Sequence, residues 1–63
     1  MKYSEAIKLL RKKMLLTQSE LADELGVAFI SVNRWENEHC EPTMKIKRKL
    51  AVLFKKHSIE EVE

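Results

Sequence analysis

The chain has 63 residues, 44 % of them hydrophobic and 35 % charged in both signs, with a net charge of +2. That is the balance of a small folded domain of modest stability rather than of a disordered chain. One Gly and one Pro leave few places for sheet turns, one Cys excludes an internal disulfide, and no apolar run nears the ~20 residues that span a bilayer. The opening MKYSEAIKLL lacks the apolar stretch and small-residue cleavage site of a secretory signal. The expectation is a helical protein that stays inside the cell.

Tyr3, Ala6, Ile7, Leu10 and Met14 recur at helical spacing and predict an amphipathic helix over about residues 2–14. Thr17 followed by Glu20 is a capping box, in which hydroxyl and carboxylate each take an orphan amide. It opens a helix over 18–25 with Leu21, Ala22 and Leu25 inward, and Gly26 stops that helix in the left-handed conformation. A third helix over about 28–37 places Ala28, Val32 and Trp35 on its inner stripe, with Asn37 as its stop. Pro42 disfavours helix at Glu41, and Thr43 is placed to cap a fourth helix. That helix, over about 44–56, has Ile46, Leu50, Leu53 and Phe54 as its apolar face. Ser58 with Glu61 repeats the capping pattern, so residues 58–63 are either a frayed tail or a short fifth helix. The prediction is a compact all-α bundle of four helices, or five, forming one domain over 1–63.

Charge is segregated along the chain. Residues 1–16 carry five basic side chains against one acidic, residues 17–42 six acidic against one basic, and residues 43–57 six basic with none opposed. Two basic blocks around an acidic middle can flank an anionic polymer, although Lys-rich helices are also simply well solvated. His39, Cys40 and His57 are too few and too poorly spaced for a zinc site. Nucleophilic catalysis at Cys40 needs an oriented base and a pocket, which a helical domain of 63 residues rarely offers, and no cofactor is expected.

The informative stretch is Gln18–Asn37, QSELADELGVAFISVNRWEN. Two short helices meet at Gly26, and Ala22 is small enough to let them approach. Leu21, Leu25, Val27, Val32 and Trp35 fill the angle between them, which is the helix-turn-helix pattern. On these residues the chain resembles the Cro/C1-type (XRE-like) helix-turn-helix family of bacterial and phage repressors, over roughly residues 3–56. LTQSELADELGV and NRWEN are the most specific parts. The resemblance implies a lambda-repressor-like fold that binds double-stranded DNA with its third helix in the major groove.

A helical wheel leaves Ile30, Asn33, Arg34 and Asn37 opposite the inner stripe of that helix, with Phe29 and Ser31 on its flanks. Asn33 and Arg34 suit base edges, since Asn bonds adenine bidentately and Arg guanine. Phe29 and Ile30 stand where the family often has polar readers. They suit thymine methyls, a hydrophobic partner chain or, for Phe29, the core. Ala28 departs from the family's Ser or Thr, so the third helix is expected to lack its side-chain cap, at a cost of about 1 kcal/mol.

By resemblance Gln18 bonds a phosphate at the start of the second helix, and Ser31 and Asn37 sit where family members touch the sugar-phosphate backbone. Lys45 and Lys47 open the fourth helix near the expected path of the strand, and Lys12 and Lys13 close the first. The same alignment pairs Arg11 with Glu36 as a structural ion pair. It further implies a homodimer on an inverted repeat, with Leu53, His57, Ile59 and Val62 as candidates for the dimer surface. The cytoplasm of a bacterium, or of a phage's host, is the implied location, on the nucleoid.

Three other readings compete. The chain fits the DNA-targeting module of a larger protein, with an effector domain elsewhere. It fits an antitoxin-like regulator whose Glu20, Asp23 and Glu24 meet a toxin. It also fits a protein-interaction domain that uses Phe29 and Ile30.

Overall fold

The computed structural model describes residues 1–62. Its four helices are α1 (Tyr3–Met14), α2 (Gln18–Leu25), α3 (Phe29–Glu36) and α4 (Met44–Lys56), with no strand among the described residues. The bundle measures 25 × 22 × 19 Å. α3 packs against both α1 and α2, and α4 closes the open side of α1 and α2.

The core draws on every helix: Ala6, Ile7 and Leu10, then Leu21, Ala22 and Leu25, then Val32 and Trp35, then Ile46, Leu50 and Phe54. Tyr3 meets Phe54 at a ring-centroid distance of 6.2 Å and ties α1 to α4. These are the inward residues that periodicity selects, apart from four departures. Tyr3, Met14 and Leu53 are half-buried on the margin of the core. Ala28 is exposed, because it is the N-cap of α3 and lies outside the helix. It makes no side-chain cap, as an alanine must.

At the other N-termini, Thr17 forms the capping box with Glu20, its Oγ1 accepting from the Glu20 amide at 3.1 Å while Glu20 accepts from the Thr17 amide at 2.9 Å. Thr43 occupies the N-cap of α4, but its hydroxyl caps no amide.

All four helices end alike. The chain turns through a left-handed residue (Leu15, Gly26, Glu38, Ser58; φ 58°, 71°, 62° and 60°) after each helix. The next amide then bonds a carbonyl five residues back: Leu16 to Arg11, Val27 to Ala22, His39 to Arg34 and Ile59 to Phe54, at 2.8–3.0 Å. Only one of the four turning residues is glycine. Two lysines from other helices add to these ends, Lys13 Nζ donating to the His57 carbonyl at 2.8 Å and Lys49 Nζ to the Leu25 carbonyl at 3.1 Å. A cation there also meets the negative end of the helix dipole.

The last segment corrects one of the two expectations for residues 58–63: no fifth helix forms over 58–62. Ser58 and Glu61 both have positive φ, so no capping box forms and no helix begins there. Ile59 instead drops into the core, 4 % exposed, and the Met1 ammonium donates to the Glu61 carbonyl at 2.7 Å. The sequence pattern read a hydroxyl and a carboxylate as a helix start; the apolar residue between them is the anchor of the α4 end. Residue 63 lies outside the described residues.

Candidate nucleic-acid interface

α2 and α3 cross at Gly26, and the core beneath them fixes which face of α3 looks outward. Val32, Trp35 and Glu36 are buried, while Phe29, Ile30 and Arg34 are exposed and Ser31 and Asn33 half-buried. Phe29 is 50 % exposed and does not fold back onto the core; Ile30 beside it is 48 % exposed.

Under this face lies a connected polar junction. Glu36 is 4 % exposed, and its two oxygens accept three hydrogen bonds. Arg11 supplies two as a fork, Nε to Oε2 at 2.8 Å and Nη2 to Oε1 at 2.9 Å. Gln18 Nε2 supplies the third, to Oε1 at 3.0 Å. Gln18 Oε1 then accepts from Asn33 Nδ2 at 3.2 Å, and Asn37 Nδ2 reaches the Asn33 carbonyl at 2.9 Å and Oδ1 at 3.3 Å. The direction of every bond derives from one charge. A carboxylate only accepts, so Gln18 must turn its NH2 to Glu36 and its oxygen to Asn33, which must then offer its own NH2.

Burial pushes the Glu36 carboxyl up. The hydrogen bonds from Arg11 and Gln18, with the charges of Arg11 and Lys8, outweigh burial and hold it below the usual carboxylate range. The bond to Glu36 raises Arg11 in turn. Both stay charged at neutral pH, and Arg11 Nη1 also reaches the Leu16 carbonyl at 3.4 Å.

The residues that sequence assigns to the DNA backbone fall into two groups. Lys12 and Lys45 are exposed and have no partner among the described residues, and Ser31 is half-buried. Lys13 is held by the His57 carbonyl, and Lys47 bonds Glu41 at 2.8 Å while lying 4.8 Å over the Tyr3 ring. Gln18 and Asn37 belong to the junction, each with hydrogen-bonding capacity left over. Lys8, which sequence reasoning passed over, stands close enough to Glu36 to act on its charge; its place one turn before Arg11 was the available signal. No group of three His, Cys, Asp or Glu side chains among the described residues is arranged to hold a metal. No helix among them is long and apolar enough to cross a membrane.

Two short helices crossing at a left-handed glycine, with the second braced from below and bare on its outer face, define a helix-turn-helix. A family model described as Helix-turn-helix matches residues 7–60. The chain belongs to this Cro/C1-type family of DNA-binding proteins, whose members generally regulate transcription. No curated protein and no solved structure matches it.

Proposed function

We propose that this chain reads a specific sequence of double-stranded DNA and represses transcription there, with α3 in the major groove. The observation that carries the reading is the outer face of α3. Arg34 has no partner among the described residues, and its fork suits guanine O6 and N7. Asn33, once bonded to Gln18 and Asn37, keeps one N–H on Nδ2 and one lone pair on Oδ1, the pair that adenine N7 and its amino group take. The second hydrogen of Gln18 Nε2, at the start of α2, is available to a phosphate, as are Lys12, Lys45 and Ser31, whereas both Asn37 Nδ2 hydrogens are directed to Asn33.

A lone module of this kind covers only about 600–1,000 Å² of contact surface, so tight binding calls for two copies on an inverted repeat with half-sites about one helical turn apart. Leu53, His57 and Val62 remain the candidates for the dimer surface. Ile59 is no longer among them because it is part of the core. A regulator of this kind works in the bacterial cytoplasm.

Selection from a random duplex library, with binding to the winner then measured across a salt series, tests the DNA reading and the homodimer. An enriched palindrome whose affinity falls steeply with salt is the expected outcome. A single half-site overturns the homodimer. No enrichment, with weak binding insensitive to salt, sinks the DNA reading and leaves Phe29 and Ile30 as a protein contact.

A further inference from the structure

We propose that Phe29 and Ile30 read the 5-methyl groups of pyrimidines in the major groove, so that methyl groups as well as hydrogen bonds define the selected sequence. The inference rests on the DNA-reading role proposed above and specifies what one end of α3 recognises.

Phe29 and Ile30 are adjacent in the first turn of α3 and each about half exposed, whereas the core contacts of the helix come from Val32 and Trp35. Neither side chain can donate or accept a hydrogen bond. On the floor of the major groove the group that an apolar side chain binds favourably is the thymine methyl. 5-Methylcytosine carries the same group at the same ring position. No acidic side chain lies in this first turn to repel a phosphate strand. Ile30 and Arg34 are four residues apart, so they share a face of α3, about 6 Å apart along the axis. Base pairs are stacked about 3.4 Å apart, which places the methyl site within two steps of the guanine that Arg34 takes. A protein partner is the less favoured occupant, because the apolar pair continues directly into Asn33 and Arg34 on the same helix.

The experiment starts from the duplex that library selection delivers. Each thymine of the half-site is replaced in turn by deoxyuridine, which removes the methyl and keeps every hydrogen-bonding group. At one or two thymines near the Arg34 guanine, affinity is expected to fall about four-fold, the value of about 0.8 kcal/mol for one buried carbon. Phe29→Ala or Ile30→Ala should abolish that sensitivity, and both positions are exposed enough for the fold to survive. At the same place a 5-methylcytosine–guanine pair should bind more tightly than the unmethylated pair. Steep, salt-dependent binding that is equally strong with deoxyuridine at every position overturns this inference and leaves the DNA-reading role intact. Failure of the selection to enrich any duplex overturns the DNA-reading role, and this inference with it.

Discussion

Glu36 accepts three hydrogen bonds in a nearly dry position, and through them it ties α3 to both α1 and α2. Truncation leaves Arg11 as a half-buried cation without its partner, and Gln18 without the acceptor that orients it. Glu36→Ala should therefore lower unfolding stability by about 3–5 kcal/mol, measured by urea titration; parental stability would show that the pair braces nothing. The pH dependence has a definite sign. The folded carboxyl is held below its unfolded value of about 4.3, so its contribution is complete above that pH and is lost as pH falls through the lowered folded value. Thermal unfolding measured from pH 7 down to pH 3 should show a falling midpoint, and a shallower fall in Glu36→Gln. An equal fall in both proteins would assign the acid sensitivity elsewhere, with Glu20, held low mainly by the Thr17 amide, the next carboxylate in line. The pairing of Arg11 with Glu36 was legible only through family resemblance. That Gln18 and Asn33 join them was not legible at all, since the contacts span 18 and 15 residues and no local pattern encodes them.

At the scale of the element, helix ends separate what a sequence displays from what it conceals. Gly26 advertised its turn because glycine alone enters the left-handed region without penalty. Leu15, Glu38 and Ser58 make the same turn with side chains that resist it, and their residue types gave no signal. The better signal lay one position later, where Leu16, Val27 and Ile59 fold back onto the core as such turns require. Leu15 is 89 % exposed, so its side chain loses nothing when removed. Leu15→Gly should raise stability by about 1 kcal/mol, or about 4–8 °C in Tm for a domain of this size. Gly26→Ala should do the reverse, by about 1–2 kcal/mol, from backbone conformation alone, because the added carbon would meet only Lys49 Nζ at 3.8 Å. A much larger loss would mean that the α2–α3 crossing tolerates no carbon there.

Across the whole molecule, the two basic blocks divide into lysines occupied within the fold and lysines left exposed. Lys13 and Lys49 bond helix-terminal carbonyls and Lys47 a carboxylate, while Lys12 and Lys45 are unengaged among the described residues. Charge alone could not divide them, because each bond depends on where the folded backbone brings the partner. If the exposed ones meet phosphates, Lys45→Ala should reduce the slope of log affinity against log salt by about 0.9 while leaving Tm unchanged. Lys13→Ala should lower Tm slightly and leave the slope as it was. The opposite pattern would relocate the phosphate path.

The chain of amides above Glu36 also has an entropic consequence for the proposed reading surface. Gln18 and Asn33 are already restrained by hydrogen bonds to Glu36, Asn37 and each other, so less of their freedom remains to be lost when a duplex arrives. Arg34, Phe29 and Ile30 have no such restraint, and ordering each costs about 0.5–1.5 kcal/mol on contact. On the proposed reading, one end of the surface is thus preorganised and the other becomes ordered only against the duplex.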